Sequence, residues 1–243
     1  MTKEKIRISK LLSLKGICSR REAEYYIEKR LIEIDGTIID KQGVKVFPDC
    51  NIKLLSKALN AQKEKVTIIL NKPIGYVSTQ AEKGYKDAKE LILKKNQSKF
   101  DDMKFLSSML KRLSVVGRLD IDSKGLLIFT QDGTIAKKLI GPNSNMEKEY
   151  LVYFEGILTK EKIDKLTLGL NLDGNSLKKA IVKQQNKNCL NIILKEGKKR
   201  QIRRMLELVD LKVTNLKRVR VGNIKLSNLK EGTFRILKKE DFF

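Results

Sequence analysis

The segment 117–125 holds the residues best suited to chemistry. It reads GRLDIDSKG and lies between two apolar runs, 115–116 and 126–130, that are typical of buried strands. Since a loop framed by two buried strands holds its side chains rigidly, its carboxylates could serve a reaction. Asp120 and Asp122 could each attack or stabilise an electrophilic carbon, or could simply form the turn. Spacing alone does not choose between these interpretations.

Composition excludes several other kinds of catalysis. The chain contains no histidine, which removes Ser-His-Asp and Cys-His nucleophiles and most metal-hydrolase schemes. The three cysteines, Cys18, Cys50 and Cys189, are far apart and form no C-x-x-C pair, so neither a disulfide framework nor a zinc site is indicated. No P-loop and no G-x-G-x-x-G motif occurs. We therefore expect a reaction that uses no metal and no other cofactor.

A formal net charge of +23 makes a polyanion the first partner to consider. Nucleic acid is favoured over a membrane surface because arginine, which suits phosphate and base contacts, occurs in clusters. The clusters are Arg20, Arg21 and Arg30, then Arg112 and Arg118, then Arg200, Arg203, Arg204, Arg218 and Arg220. We expect them to supply a surface that faces nucleic acid.

Residues 1–52 predict a small unit of two helices followed by a β-hairpin. Apolar residues at helical spacing indicate one helix around 8–12 and a second around 23–31. The S-x-x-E run at 19–22 is a capping box at the start of the second helix. The run at 32–39, with Asp-Gly at its centre, is the pattern of a two-residue hairpin.

The rest of the chain predicts an α+β domain at 66–243, after a polar, lysine-rich linker at 53–65. Strand-like and helical stretches alternate, which indicates a largely antiparallel or mixed sheet. The strands are expected at 66–70, 126–130, 150–154 and 190–194, and the helices near 86–95, 134–140, 160–168 and 199–209. The segment 94–111 is polar and irregular, and we interpret it as a surface insertion.

The first unit resembles the S4 RNA-binding domain. The resemblance is carried by the run at 8–12, Gly16, CSRREA at 18–23, Ile27 and IDG at 34–36. It implies that basic residues around the second helix bind RNA, whereas Glu24 and Glu28 in the same helix fit a solvated face. The basic residues are Lys10, Lys15, Arg20, Arg21, Lys29 and Arg30.

The remainder is similar to the RsuA-type pseudouridine synthases, which carry an S4 domain in front. The matching motifs, in the family's order, are LNKPxG at 70–75, VGRLD at 116–120, GLL at 125–127, TxDG at 130–133, EKEY at 147–150 and EGxxRQIRRM at 196–205. The resemblance covers nearly the whole chain. It implies that a uracil of structured RNA is detached from its ribose at N1, rotated and reattached through C5.

The resemblance also assigns roles to site residues. Asp120 is the carboxylate that assists at or near C1′, where bond cleavage develops positive charge, either covalently or by abstracting a proton. Arg203 pairs with Asp120 and keeps it ionised. Tyr150 stacks on the target uracil, although its alternating strand equally fits a core tyrosine. Arg118 fills the space left by the flipped base, or else contacts a phosphate.

Further RNA contacts are expected around these residues. Four cations near the start of the helix at 199–209 oppose the helix dipole, which favours a role in binding an anion. Val221 falls where the family carries an apolar residue beneath the catalytic group, and a core valine describes it as well. The remaining substrate-binding residues implied by the motifs are Lys72, Lys148, Arg200 and Arg204.

The function expected from these observations is the isomerisation of uridine to pseudouridine in ribosomal RNA. We expect large-subunit RNA as the substrate, with small-subunit RNA as the alternative. Two different functions compete with this one: an S4-type RNA-binding or ribosome-assembly protein without activity, and a DNA-associated protein. The partner would be ribosomal RNA or a pre-ribosomal particle, with no membrane and no metal. A cytoplasmic location is expected, because no apolar run approaches the roughly 18 residues of a membrane span. A monomer is the default expectation.

Overall fold

The structure, a computed structural model, describes residues 4–79, 84–141, 144–238 and 241–242. It divides into two compact units. The N-terminal unit comprises Met1–Val66 and Thr130–Lys138, and the sheet unit comprises Thr67–Phe129 and Leu139–Phe243. Within the described residues, no helix is long and apolar enough to cross a membrane.

The N-terminal unit contains the two helices and the hairpin that the sequence predicts. Its elements are β1 (Ile6–Arg7), α1 (Ile8–Leu14), α2 (Arg20–Glu28), β2 (Ile32–Ile34), β3 (Thr37–Ile39), β4 (Lys45–Val46), β5 (Ile52–Leu54) and α3 (Ser56–Lys63). β2 pairs antiparallel with both β3 and β5, and β1 pairs antiparallel with β4. The apolar faces of the helices and of β2 share one core that includes Leu12, Ile27 and Ile32.

Local signals in this unit are confirmed at the level of atoms. The Ser19 hydroxyl accepts a hydrogen bond from the Glu22 amide, and the Glu22 carboxylate accepts one from the Ser19 amide, which is the capping box. Asp35 and Gly36 have φ angles of 48° and 82°. Both values are positive, as the primed turn of a two-residue hairpin requires.

The expectation of a linker at 53–65 is wrong. β5 ends at Leu54, and α3 begins two residues later and is anchored to the unit. Ala58 is fully buried, and the Gln62 amide donates a hydrogen bond of 3.0 Å to the carbonyl of Ile17. The sequence hides this helix because Ala58 is its only buried residue, so no apolar stripe marks it.

The sheet unit is built on one mixed sheet, in agreement with the α+β prediction. The strands of that sheet are β6 (Thr67–Lys72), β9 (Ser114–Val116), β10 (Lys124–Thr130), β11 (Lys148–Glu155), β14 (Ile181–Asn186), β15 (Cys189–Leu194), β16 (Lys212–Val221), β17 (Ile224–Lys225) and β18 (Phe234–Ile236). Two short pairs lie outside it: β7 (Tyr76–Val77) with β8 (Lys86–Asp87), and β12 (Asn171–Leu172) with β13 (Asn175–Ser176). The helices of the sheet unit are α5 (Lys160–Leu168) and α6 (Gln201–Glu207), whereas most of α4 (Gly133–Ile140) belongs to the N-terminal unit.

The central strands run in the order β14-β15-β11-β16-β10-β6-β18. β16 is antiparallel to β11 on one side and parallel to β10 on the other. Arg218 of β16 therefore lies between Gly125 of β10 and Tyr150 of β11. The strand that follows the GRLDIDSKG loop and the strand that carries Tyr150 are separated by β16 alone.

The segment 94–111 is irregular, as expected, with short 3₁₀ turns at Lys94–Asn96 and Ser107–Leu110. It is attached to β18 at several points. The Phe105 ring packs edge-on against the Phe234 ring with centroids 5.3 Å apart, and the Asp101 carboxylate accepts a hydrogen bond from the Ile236 amide. The segment is thus a surface excursion that is anchored on β18.

Candidate active site

The backbone of the loop at 117–122 is fixed at every carbonyl. The bonds run from Arg218 Nη2 to Gly117 O (2.7 Å), Arg218 Nη1 to Arg118 O (3.5 Å), Ser78 Oγ to Leu119 O (2.7 Å), Ser123 N to Asp120 O (3.1 Å), Gly75 N to Ile121 O (2.9 Å) and Arg203 Nη2 to Asp122 O (2.8 Å). The Ser78 hydroxyl also accepts the Leu119 amide at 2.9 Å. Such a loop can hold a side chain in one place without reorganising.

The two aspartates of the loop differ in their partners. Asp122 Oδ2 accepts a hydrogen bond from Arg200 at 2.9 Å and lies 3.2 Å from Nε of Arg203. The Asp120 carboxylate is half-buried, and within the described residues it forms no hydrogen bond and no ion pair. The structure therefore leaves Asp120 available to an outside group and engages Asp122 internally.

Arg203 was expected to pair with Asp120, and it pairs with Asp122 instead. From α6 its guanidinium reaches the end of the loop, where Nη2 binds the Asp122 carbonyl and Nε faces the Asp122 carboxylate. A planar guanidinium engaged with one residue at two points has little freedom to turn toward a second carboxylate. Arg203 thus contacts the loop two residues beyond Asp120.

These contacts set the electrostatics of the pair. Partial burial by itself raises the pKa of the Asp122 carboxyl, but the hydrogen bond from Arg200 and the charge of Arg203 outweigh it and hold that pKa below its usual value. The same hydrogen bond raises the pKa of Arg200. Asp122 is therefore a permanent anion at neutral pH, held by two permanent cations.

Lys72 was expected to contact RNA, and its burial corrects that expectation. The side chain is fully buried, and its ammonium donates to the carbonyls of Pro73 and Tyr76, both at 2.8 Å. Burial lowers the pKa of Lys72 to about 8, against the opposing charges of Asp122 and Asp120. Lys72 closes the turn that brings the Gly75 amide to the loop. Since β6 is buried along its whole length, its lysine cannot reach solvent.

Tyr150 and Lys148 lie on β11, and Val221 lies at the end of the neighbouring β16. Tyr150 and Lys148 alternate on one face of β11, and Val221 is the partner of Lys148 in β16. All three are buried, and the Lys148 ammonium donates to the carbonyl of Met146 at 3.1 Å. Burial, together with the charge of Arg218, lowers the pKa of Lys148. The Tyr150 hydroxyl has no hydrogen bond to any residue that the structure describes.

The expected RNA contacts on the loop and on α6 differ in their availability. Arg118 is exposed, and its guanidinium has no partner in the described part of the chain. Arg200 is engaged with Asp122, and Arg204 grips the Asp173 carboxylate through both of its terminal nitrogens. Among these expected RNA contacts, Arg118 is thus the one whose charge is available to a phosphate or a base.

The basic residues expected to bind RNA in the N-terminal unit are exposed. Lys29 contacts Glu28 at 3.4 Å and lies over the Tyr25 ring. The other expected residues have no ion pair or hydrogen bond from their side chains among the residues described. They are Lys10, Lys15, Arg20, Arg21 and Arg30.

Two arginines of the cluster at 200–220 are engaged inside the fold and are not free to face nucleic acid. Arg218 is buried, and Arg220 binds the carboxylates of Glu149 at 2.6 Å and Glu147 at 3.1 Å. Sequence reasoning also missed Ser78, which fixes the loop at Leu119. The paired glycines of GRLDIDSKG were a signal for the close approach of Arg218, because glycine often marks such an approach. The described residues contain no cluster of acidic or cysteine side chains suited to a metal ion.

Comparison with known proteins connects this site to a family. The family model described as RNA pseudouridylate synthase matches residues 66–208. The match begins just before β6 and ends just after α6. It therefore includes the loop, Tyr150 and Arg203.

Curated relatives align with nearly the whole chain. An uncharacterized RNA pseudouridine synthase of Aquifex aeolicus is 33% identical over 96% of this chain and 91% of its own length. The dual-specificity RNA pseudouridine synthase RluF of Escherichia coli K12 is 35% identical, over 97% and 77% respectively. The ribosomal large subunit pseudouridine synthase B of Bacillus subtilis is 30% identical, over 95% and 91%.

One solved structure shares the fold along the full length. It is a crystal structure of a pseudouridylate synthase, 24% identical, with a TM-score of 0.67 over 98% of both chains. At this identity the likeness concerns the fold. It agrees with the mixed sheet and the α+β architecture described above.

Proposed function

The chain belongs to the RNA pseudouridylate synthase family, in its RsuA/RluB/RluF type, and on that premise we propose that it isomerises a uridine of large-subunit ribosomal RNA with Asp120 as the catalytic carboxylate. One observation carries the assignment of the residue. In a loop whose carbonyls are all fixed, Asp120 holds the carboxylate that no described residue occupies, whereas Asp122 is bound by two arginines.

The proposed chemistry follows from that availability. Cleavage of the N1–C1′ bond develops positive charge on the ribose, which a nearby carboxylate can capture or stabilise. Asp120 would act either by attacking C1′ or by abstracting a proton from the sugar. In both cases the fixed loop keeps the carboxylate in place while the uracil turns from N1 to C5.

The neighbouring residues take separate roles in this proposal. Tyr150 stacks against the target uracil and, through its unpaired hydroxyl, offers one polar contact in a buried setting. Arg203 is a positioning residue, because it binds the backbone and carboxylate of Asp122. Arg118 fills the space that the flipped base leaves in the stack. Flipping the base out of the stack costs a few kcal/mol. The exposure of Arg118 and its lack of a partner support that role.

We further propose that the N-terminal unit is an S4-type RNA-binding domain. Its helices and hairpin agree with the pattern that suggested the resemblance. Lys10, Arg20, Arg21 and Arg30 are exposed cations whose side chains have no partner in the described part of the chain, and such cations bind favourably to phosphates.

The large-subunit substrate is supported by the name of one relative at 30% identity, a ribosomal large subunit pseudouridine synthase. The test is to incubate the purified chain with unmodified large-subunit and small-subunit ribosomal RNA in separate reactions and map pseudouridines. We expect product at one position of the large-subunit RNA. Product confined to the small-subunit RNA would overturn the substrate assignment.

The same reactions separate the remaining functions. Tight binding of either RNA without product would support a ribosome-assembly function without catalysis. A preference for duplex DNA over ribosomal RNA fragments at moderate salt would instead favour a DNA-associated protein.

A further inference from the structure

Arg218 is the largest fully buried side chain described, yet it binds no carboxylate among the described residues. A buried charge without a counter-charge is expensive unless it is fully hydrogen-bonded. The bonds that hold it therefore indicate what it does. All of them go to backbone carbonyls at the two ends of the Asp120 loop.

The guanidinium joins those two ends. Before Asp120, it donates to the carbonyls of Gly117 at 2.7 Å and Arg118 at 3.5 Å. After Asp120, Nε donates to the carbonyl of Leu126 at 2.8 Å. The guanidinium nitrogens have fixed relative positions, so this one group, which extends from β16, sets the distance between the backbone at Gly117 and the backbone at Leu126.

Both glycines of GRLDIDSKG lie against this arginine. A Cβ at Gly125 would come within 2.3 Å of the Arg218 carbonyl oxygen, in the parallel pairing of β10 with β16. A Cβ at Gly117 would lie 3.7 Å from Nη1 of Arg218 and 3.4 Å from the Ile140 side chain. Gly117 and Gly125 also have φ angles of +72° and +104°, which other residues rarely adopt. The loop is therefore shaped to close around Arg218.

The other neighbour of Arg218 is Tyr150. The two residues are partners in the pairing of β16 with β11, next to an irregularity in the register. Arg218 thus touches the loop that presents Asp120 on one side and adjoins the proposed uracil-stacking residue on the other.

We propose that Arg218 is a positioning residue that fixes the distance between the Asp120 carboxylate and a uracil stacked on Tyr150. The inference rests on the proposed function and deepens it. Arg218 donates three hydrogen bonds around the loop and pairs with Tyr150 across the strands. We therefore expect the shape of the guanidinium, and not only its charge, to matter for the reaction. A lysine at this position keeps the charge but cannot bridge the two ends of the loop in the same way.

The test compares Arg218→Lys and Arg218→Met with the matched control Arg220→Met. Arg220 is two residues away in the same strand and is also largely buried, but its bonds go to Glu147, Glu149 and Gly222 and none to the loop. Single-turnover pseudouridine formation is measured with enzyme in saturating excess over RNA, together with RNA affinity and thermal unfolding.

We expect both Arg218 variants to bind RNA within about threefold of wild type and to form product about 100-fold more slowly, since a misplacement of about 1 Å can cost that much. Arg220→Met should lose thermal stability and keep its rate within about threefold, because it does not touch the loop. Hydrogen exchange of the amides at 119 and 123 should accelerate in Arg218→Lys and stay unchanged in Arg220→Met.

Each other outcome overturns the inference. A rate for Arg218→Lys equal to that of Arg220→Met would reduce Arg218 to a structural role, and rescue by lysine but not methionine would make charge, not shape, the active property. If the Arg218 variants do not fold, Gly117→Ala strains the backbone at one end of the loop, where φ is +72°, with the arginine intact, and an unchanged rate there refutes the proposal. A wild-type enzyme without product refutes the proposed function, whereas an active wild type with active variants refutes this inference alone.

Discussion

Replacing Asp122 by asparagine should destabilise the sheet unit, whereas the same change at Asp120 should not. Asp122→Asn keeps the shape of the side chain but removes the anion that faces Arg200 and Arg203. Asp120→Asn removes no ion pair or hydrogen bond found among the described residues. Because the positions are two residues apart in the same fixed loop, the comparison isolates the ion pairs from any general effect of the substitution.

The magnitude follows from the exposure of the partners. The Arg203 side chain is only 10% exposed, so losing its carboxylate leaves a buried cation with one fewer partner. The Arg200 side chain is 41% exposed and that of Asp122 38%, so water screens this pair, which contributes at most about 1 kcal/mol. Together we expect a loss of about 1–2 kcal/mol for Asp122→Asn and less than about 0.5 kcal/mol for Asp120→Asn.

Thermal unfolding measures the difference. At about 2–4 °C per kcal/mol for a unit of this size, Asp122→Asn should lower the melting temperature by about 2–8 °C. The arginines lower the pKa of Asp122 in the folded state, so the stabilisation is present above the ordinary aspartate pKa of 3.8 and is lost as the pH falls through the lowered pKa. The gap between wild type and Asp122→Asn should therefore close on acidification.

Equal melting temperatures for the two variants at neutral pH would refute the assignment of the ion pairs to Asp122. A loss confined to Asp120→Asn would show that Arg203 pairs with Asp120 after all.

Three further predictions concern the rest of the structure. Burial lowers the pKa of Lys72 to about 8 from 10.5, so between these pH values the unfolded chain binds one proton more than the folded chain, and wild type should gain stability relative to Lys72→Met as the pH rises. Denaturant titrations at the two ends of this pH range measure the gain, and a constant difference in stability would contradict it. Gly125→Ala should prevent stable folding of the sheet unit, because its methyl group would clash with the Arg218 carbonyl oxygen. Gly174→Ala has a similar positive φ of +73° but open space around it, so it should lower the free energy of unfolding by only about 1–2 kcal/mol. Similar losses for the two variants in thermal unfolding would argue against the close approach at Gly125. The double variant Arg20→Gln and Arg21→Gln should weaken RNA binding and reduce the slope of log affinity against log salt concentration by about 2, while the rate of pseudouridine formation at saturating RNA stays unchanged. An unchanged slope in a salt titration would show that these residues do not contact RNA.

The parts of the fold that depend on local chemistry are readable from the sequence. The capping box at Ser19 and the Asp35-Gly36 turn use bonds within a few residues, and both are confirmed. Helix α3 is not readable, because it buries only Ala58 and owes its place to contacts such as that of Gln62 with a residue 45 positions earlier. The sheet order likewise depends on pairings between distant segments.

The site follows the same division. The loop containing Asp120 and Asp122 is marked by its own motif between two apolar strands. The partner of Arg203 and the burial of Arg218 depend on bonds that span 81 to 101 residues, and nothing in the local sequence specifies them. Charge alone places Lys72 on a surface, yet its position in a strand buried on both faces turns it inward.

The central claim is that Asp120, and not Asp122, carries out the chemistry. The most direct measurement is single-turnover pseudouridine formation in large-subunit ribosomal RNA by wild type, Asp120→Asn and Asp122→Asn, with RNA affinity measured in parallel. We predict no detectable product from Asp120→Asn at an affinity within a few-fold of wild type, and slower but measurable product from Asp122→Asn. Wild-type product from Asp120→Asn, or loss of all product in Asp122→Asn alone, would contradict it.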